Sequence, residues 1–183
     1  MDNKIRSWST DLLTGRDFSC RRQSGGKERT MTKIRTNEEP ELRWAKLFAK
    51  MYYIMAEQMI ESLGEEEGKK AISKAVQTFA EARVASMKEE AAERDLAENG
   101  LQTYQDVRDM PGTGWKHNGL GISYCPFHDV WKDYGERGAE LGGLYCRIDY
   151  PMLEGFGVEL ERNFILTNGD DHCQFIYHDQ AEQ

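Results

Sequence analysis

The sequence contains no apolar run close to the roughly 20 residues that a helix needs to cross a bilayer. Its opening residues, MDNKIRSWSTDLLTGRD, also lack the apolar stretch that follows the charged start of a secretory signal. These two absences argue against a membrane protein and predict a cytoplasmic location.

Basic residues are fewer than acidic residues. The chain carries 24 Lys and Arg residues against 32 Asp and Glu residues, which gives a formal net charge of -8. A protein that adheres to nucleic acid or to an anionic membrane needs a basic face. The acidic balance therefore argues against both kinds of partner.

Cysteine is scarce as well. Four cysteines fall short of the density found in small secreted domains held together by disulfides. In a reducing compartment we expect free thiols, which serve as packing residues, metal ligands or nucleophiles. Cys20 lies in a polar segment, which leaves Cys125, Cys146 and Cys173 as the candidates.

The first part of the chain shows no regular pattern. Residues 1–38 are polar and have neither helical nor strand periodicity, so they predict a flexible N-terminal tail in which Met31 is an alternative translation start. At 183 residues the chain is long enough for one well-packed domain and short for two. Residues 39–183 are therefore predicted to form a single domain.

Helical periodicity begins at Pro40, where apolar residues recur at spacings of three and four along a helix that ends at Gly64. We expect this stripe to be buried core, including its methionines, because methionine fills irregular gaps. A second helix is predicted from Glu65, with acidic residues in its first turn. The stripe consists of Trp44, Leu47, Phe48, Met51, Tyr52, Met55, Met59 and Ile60.

Strand signals appear beyond Trp115. The pair Asn118-Gly119 predicts a hairpin turn, and Pro126 predicts the start of a short helix. The stretch AELGGLYCRID predicts a further helix that is broken at Pro151.

A second hairpin is predicted across the Asn-Gly pair of the stretch LTNGDDHC. A tight two-residue loop there places Phe164 opposite Cys173 and Ile165 opposite His172. The predicted fold class is α+β, with long N-terminal helices packed on a small antiparallel sheet and a C-terminal hairpin.

Each of the three cysteines occupies a position suited to chemistry. Cys125 sits where a strand gives way to a helix, and the helix dipole is expected to lower the pKa of its thiol. Cys146 lies three residues before Asp149, so a helix places both on one face. Cys173 follows the second hairpin turn.

These residues leave several roles open. The cysteines are too widely spaced for a compact zinc motif, but Cys125, Cys146 and Cys173 could still converge in space as metal ligands. A buried cysteine also serves simply as a small hydrophobe. His128 and His172 are candidates for proton transfer, since an ordinary histidine has a pKa of about 6.5.

The sequence resembles a known family. The stretches YCPFHDVWKDYG, LYCRIDYPMLEGF and LTNGDDHCQFIY, with the helical segment from Leu42 to Arg83, are similar in order and content to the L-2-amino-thiazoline-4-carboxylic acid hydrolases. The similarity covers roughly Glu41 to Tyr177. It implies that residues 39–183 form a hydrolase-like α+β domain.

The resemblance also implies a reaction. Water opens a cyclic isothiourea to N-carbamoyl-L-cysteine, which needs a nucleophile, a proton for the departing sulfur and a group that holds a carboxylate. Under this implication Cys125 is the nucleophile or a metal ligand, and Asp149 or His172 transfers the proton. Arg83 or Arg147 binds the substrate carboxylate.

Cys146 and Cys173 complete this cysteine-centred site, and zinc stays open as its cofactor. The chain departs from the family at FAEARV, Phe79 to Val84, where members carry Phe-Gly-x-x-Arg-Gly. Glycines permit close approach, so their replacement is expected to narrow a pocket.

Two other functions stay open. The closing hairpin is more distantly similar to 4-vinyl reductase domains, which implies a small-molecule or zinc-binding sensory domain without catalysis. A purely structural interaction domain is favoured if the cysteines are buried apart and no pocket lies between helices and sheet. The resemblance implies a small-molecule substrate as partner, and a homo-oligomer is left open.

Overall fold

A computed structural model describes residues 32–112 and 114–179 of the chain. The predictions for Cys20 and Met31 lie outside these residues, as does most of the predicted tail. Thr32 is tied to a later part of the chain, because its hydroxyl donates to the Asp129 carbonyl at 3.0 Å and its backbone N–H donates to the Asp133 carboxylate.

The described residues confirm the α+β fold class. No helix among them is long and apolar enough to cross a membrane. The elements, in chain order, are α1 (Pro40–Leu63), α2 (Glu65–Glu93), α3 (Leu101–Val107), β1 (Lys116–His117), β2 (Ile122–Tyr124), α4 (Pro126–Trp131), α5 (Gly135–Cys146), α6 (Asp149–Glu154), β3 (Val158–Glu161) and β4 (Ile176–Asp179).

Helices α1 and α2 form a tightly packed pair joined by one residue. Gly64 ends α1 as predicted, with a φ of 85° that favours glycine. The two helices then approach so closely that a Cβ on Gly68 would lie 2.7 Å from the Ile60 Cα. Glycine at this position therefore permits the contact.

The predicted stripe of α1 is wrong in part. Trp44, Met51 and Met55 are 72%, 53% and 54% exposed, whereas the buried line of the helix runs through Ala49 and Ala56. Small alanines let the helix approach the rest of the core closely, and the large residues that flank them then divide between the interior and the surface. Core filling is not the role of the exposed methionines.

The core beneath α1 is aromatic. Trp131 is completely buried, and its indole N–H donates to the Ala49 carbonyl at 2.9 Å. Gly142 of α5 lies against its ring, where an added Cβ would meet Trp131 Cε3 at 2.3 Å. Phe127 and Tyr145 pack edge to face, with ring centroids 5.6 Å apart.

Two antiparallel ribbons complete the fold. Strand β1 pairs with β2, as the Asn118-Gly119 turn predicts, and β3 pairs with β4. The ribbons are linked because Ile122 and Cys173 exchange backbone hydrogen bonds of 2.9 and 2.8 Å. A Cβ on Gly121 would lie 2.1 Å from the Cys173 carbonyl oxygen, so this link requires glycine.

The C-terminal hairpin is confirmed, although its tip differs from the prediction. Leu160 lies opposite Tyr177, in the register that the predicted turn gives. The tip is not a two-residue loop, because a 3₁₀ helix occupies Leu166–Asn168. Cys173 pairs with Ile122 across the link between the ribbons, not with Phe164.

The predicted break at Pro151 is also wrong. Helix α5 ends at Cys146, and Pro151 lies in the first turn of α6. Proline is tolerated there because the backbone N–H groups of a first turn have no partner within the helix.

Candidate active site

A cavity of about 510 Å³ lies where α2–α6 meet the two ribbons. Its wall is largely aromatic and aliphatic, with a few polar groups, which is typical of small-molecule sites. The ionisable residues that line it are Arg83, Tyr104, Arg108, His117, Cys125, Tyr145, Cys146, Asp149, Arg162, Cys173 and Tyr177.

Three different local structures bring the cysteines to this cavity. Cys125 precedes α4 as its N-terminal cap residue, Cys146 is the last residue of α5, and Cys173 is held by the link to Ile122. All three are free thiols. The condition for a purely structural domain, cysteines buried apart without a pocket, is not met.

Burial dominates the chemistry of two of these thiols. It raises the pKa of Cys125 to about 11, although the backbone N–H groups of His128 and Phe127 act in the opposite direction. The predicted lowering at the helix start is therefore wrong. Burial, with Cys125 and Asp149 nearby, also raises the pKa of Cys146 well above its ordinary value. Both are neutral thiols at physiological pH.

Cys173 has different surroundings. The Leu166 backbone N–H donates to its sulfur at 3.3 Å, and the Arg162 guanidinium lines the same cavity wall. Nucleophilic cysteines typically lie beside a cation. Of the three cysteines, Cys173 has the surroundings best suited to a nucleophile.

Arg162 holds this side of the cavity together. Its side chain is 2% exposed, and Nη1 donates to Asp149 Oδ2 at 2.8 Å and to the Cys146 carbonyl at 3.0 Å. Its guanidinium also lies over the Phe175 ring, 4.5 Å from the centroid. Burial opposes its charge, but Asp149 and the cysteines outweigh this, and the pKa of Arg162 is raised.

Asp149 and Tyr145 are two further polar residues that line the cavity. Burial raises the pKa of the Asp149 carboxyl despite the opposing charges of Arg162 and Arg83. The Tyr145 hydroxyl is buried and has no hydrogen-bond partner among the described residues. A buried polar group without a partner marks a position where a ligand can bind.

Besides Arg162, two arginines line the cavity, and they differ in whether an acidic residue binds them. Arg83 is held by Asp109, with Nε 2.8 Å from Oδ2, and it lies over the Phe79 ring. The exposed side chain of Arg108 makes no hydrogen bond or ion pair within residues 32–112 and 114–179. Arg108 is therefore the better placed of the two to meet an incoming carboxylate.

A family model described as L-2-amino-thiazoline-4-carboxylic acid hydrolase matches residues 44–177, which include every residue of this cavity. The chain belongs to this family. No curated protein and no solved structure matches it. Membership identifies the chain as one of a family of hydrolases, and a small-molecule substrate fits the cavity.

Two residues predicted for the hydrolase site lie elsewhere. His172 is buried beside the cavity, where Nδ1 lies 2.5 Å from Asp171 Oδ1 and its ring stacks on Phe164 at 5.0 Å. Arg147 lines a second cavity of about 530 Å³. Neither side chain lines the first cavity.

The sequence prediction missed Arg162, Arg108 and Tyr145. A signal for Arg162 was present, because Val158 and Leu160 are the buried residues of a strand with period two, and position 162 continues that inward face. Nothing comparable marks Arg108, which follows the end of α3.

The departure at FAEARV has a packing explanation in this hydrolase. Ala80 is completely buried, and a Cβ on Gly155 would lie 2.6 Å from Val84 Cγ1. Neither Ala80 nor Val84 lines the cavity. The expected narrowing of the pocket is wrong, since Ala80 is in the core and Val84 packs against Gly155 at the end of α6.

The side chains do not offer a metal centre. Within the described part of the chain, no group of three His, Cys, Asp or Glu residues could hold a metal ion. The zinc site considered for Cys125, Cys146 and Cys173 therefore receives no support from their arrangement, and so neither does the zinc-binding sensory function.

Proposed function

We propose that this chain hydrolyses a small cyclic isothiourea or amidine, such as L-2-amino-thiazoline-4-carboxylate, to a product of the N-carbamoyl-L-cysteine type. The observation that carries the proposal is that Cys173 and Asp149 line one cavity together with Arg162, which donates to Asp149 at 2.8 Å. The cavity thus holds both a candidate nucleophile and a candidate proton donor. Family membership supports the same reaction class.

Cys173 is the nucleophile in this proposal. Its sulfur attacks the ring carbon between sulfur and nitrogen, a carbon–sulfur bond forms, and the bond from that carbon to the ring sulfur breaks. The ring sulfur becomes a thiol that stays on the same substrate molecule. That molecule remains attached to Cys173 through the attacked carbon, as an S-linked isothiourea. The backbone N–H of Leu166 and the Arg162 guanidinium stabilise the attacking thiolate.

Asp149 supplies the proton that the departing sulfur needs. The burial that raises its pKa keeps a larger protonated fraction than an exposed aspartate has. In the second step Asp149, now ionised, accepts a proton from water. The hydroxide adds to the isothiourea carbon, and the bond to Cys173 breaks with the sulfur leaving as the thiolate. The proton of the added hydroxyl moves to nitrogen, and the carbon becomes the carbonyl of a urea.

Binding groups for the substrate lie around this pair. Arg108 meets the substrate carboxylate, with Arg83 behind it and held by Asp109. The Tyr145 hydroxyl meets a ring or exocyclic nitrogen. Cys125 and Cys146 remain neutral thiols that shape the wall, because their raised pKa values disfavour attack.

The test compares serine substitutions of the three cysteines with L-2-amino-thiazoline-4-carboxylate as substrate. Cys173→Ser should reduce turnover by more than about 1000-fold and abolish the covalent adduct that mass spectrometry detects after acid quench. Cys125→Ser should retain the adduct on Cys173. Full turnover in Cys173→Ser would reject this nucleophile.

The same substrate distinguishes hydrolysis from binding without chemistry. Saturable binding by wild-type protein, with neither adduct nor product, would support the ligand-binding alternative. No binding at all would reject both functions for this ring.

A further inference from the structure

The second cavity lies against the first. Arg162 and Cys146 line both cavities, so these side chains form a shared wall. The far side of the second cavity is built by Arg147, Thr167 and the exposed Asn168.

Two buried polar atoms of this cavity have no partner among the described residues. They are the Thr167 hydroxyl, on a residue 7% exposed, and Arg162 Nε, on a side chain 2% exposed. Gly143 also lines the cavity, and a Cβ there would lie 3.7 Å from Thr167 Oγ1, so this hydroxyl lies against the Gly143 side of the wall. Buried donors without a partner are costly, and a bound group explains them.

The charges of the cavity favour an anion. Its cations are Lys69, Arg147 and Arg162, and its acidic residue is Glu140. Glu140 is bound by Lys69 and by Arg137, Lys69 also pairs with Glu65, and Arg162 pairs with Asp149. Arg147 makes no ion pair within the described residues, so its charge is available to a ligand.

We propose that the second cavity binds a small oxyanion. Thr167 Oγ1 and Arg162 Nε donate hydrogen bonds to it, and Arg147 supplies the charge that balances it. Inorganic phosphate and a free carboxylate share this chemistry. The site shares Arg162 with the proposed reaction, but neither Cys173 nor Asp149 contacts the anion, so loss of the reacting groups leaves the site in place.

Calorimetric titration of the full chain with inorganic phosphate and, separately, with acetate at constant ionic strength tests the site. Wild-type protein should bind at least one of the two saturably. The anion that binds more tightly shows whether the natural ligand carries a phosphate or a carboxylate. Thr167→Val and Arg147→Gln should each weaken binding about tenfold, as the loss of one hydrogen bond to a charged group predicts. Gly143→Leu should abolish binding by filling the space beside Thr167.

Lys74→Gln is the matched control, because it removes an exposed cation of α2 that lies outside this cavity. Equal affinity in all variants would reveal an adventitious ion and overturn the proposal. Absence of saturable binding with both anions would overturn it as well. Cys173→Ser should bind the anion normally, so failure of the proposed reaction and failure of this site are separable.

An independent observation concerns the surface of α1. Five large apolar side chains on one face of this helix, here called the outer face, are between 46% and 72% exposed. Contiguous apolar surface of this kind marks an interaction site. The outer face consists of Trp44, Leu47, Met51, Ile54 and Met55.

Charge complementarity selects the partner. Lys50 and Glu61 lie 7 and 18 residues after Arg43, which places all three on one flank of α1. The cations lie toward the start of the helix and the carboxylate toward its end. Two antiparallel copies of α1 related by a two-fold axis bring each cation-bearing end against the carboxylate of the other copy. We infer that the outer face binds a second copy of this chain.

Sedimentation equilibrium of the full chain should therefore show a dimer, and Met51→Glu should make it monomeric. Gln77→Glu, an added charge at an exposed position of α2, is the control and should leave it dimeric. Arg43→Glu or Glu61→Arg alone should weaken the dimer at least tenfold, and the double variant should restore it. A monomer at every concentration, or no restoration by the double variant, would overturn the inference.

Discussion

Arg162 donates from Nη1 to Asp149 Oδ2 at 2.8 Å, and the same guanidinium lines both cavities of the protein. It is the most buried charged group of the site, with 2% of its side chain exposed. Both stability and chemistry should therefore respond to its removal.

Arg162→Met should destabilise the fold by about 3 kcal/mol, because it leaves a partly buried Asp149 carboxylate without its partner. Asp149 retains a third of its side-chain exposure, which keeps the loss toward the lower end of that class. Denaturant unfolding measures it. Arg94→Gln removes an exposed ion pair with Glu90 and should cost less than about 1 kcal/mol. Equal losses would contradict the importance of burial.

Tyr145→Phe should separate ligand binding from stability. The lost hydroxyl has no partner among the described residues, so the free energy of unfolding should stay the same or rise. The Kd for the ring substrate, measured by calorimetry, should rise about tenfold if the hydroxyl binds it. Tyr52→Phe is the opposite case, since that hydroxyl donates to Leu141 at 2.8 Å, and should cost about 1 kcal/mol without changing Kd.

The Cys125 thiol should be slow to react near neutral pH. Burial raises its pKa to about 11 from an ordinary value of about 8.5, which lowers its thiolate fraction more than about 100-fold. Alkylation followed by peptide mapping should show a rate that still rises above about pH 9. A rate that levels off at lower pH would contradict the effect of burial.

The same pKa has a consequence for stability. The folded pKa lies above the unfolded one, so the contribution of Cys125 is fully present below about pH 8.5 and is lost as the pH rises toward 11. Cys125→Ala should therefore lose less stability than wild-type protein over that interval in pH-dependent unfolding experiments. Parallel curves would argue against a shifted pKa.

Gly121→Ala should disrupt the link between the ribbons. Its Cβ would lie 2.1 Å from the Cys173 carbonyl oxygen, and we expect a loss of about 3 kcal/mol together with greater reactivity of the Cys173 thiol. Gly119→Ala tests backbone strain alone, because it has a φ of 85° and no heavy atom within 4 Å of the added Cβ. It should cost about 1 kcal/mol and leave Cys173 unchanged. Equal effects would show that strain dominates.

The sequence predicted those parts of the fold that depend on local patterns. Gly64 ended α1, the Asn118-Gly119 turn formed a hairpin, and the register of β3 with β4 followed the second Asn-Gly pair. The tip of the second hairpin was wrong because Cys173 pairs with Ile122, a partner distant in sequence. Local turn preference could not reveal that competing contact.

In the candidate site too, the positions of residues could be predicted better than the effects of distant contacts on them. Cys125, Cys146, Cys173, Asp149 and Arg83 all line the first cavity. The direction of the Cys125 pKa shift could not be predicted, because the dipole is a local effect whereas desolvation depends on everything packed around the thiol.

Side-chain direction was a further limit of the sequence. The resemblance gave His172 and Arg147 candidate roles, and the structure places both side chains outside the first cavity. The large residues of α1 were assigned to the core by spacing, although alanines set its closest approach. Sequence periodicity identifies an apolar face but does not say whether this chain or another covers it.

The pairing of Ile122 with Cys173 has a consequence for the order of folding. A contact between segments so far apart in sequence has a large entropic cost of closure, so we expect it to form after the local helices and turns. We therefore expect the cysteine proposed to attack substrate to be among the last parts of the molecule to reach its final place. In a refolding experiment, protection of the Cys173 thiol from alkylation should follow the recovery of the helical circular dichroism signal. The protection of this thiol would then report the completion of the fold.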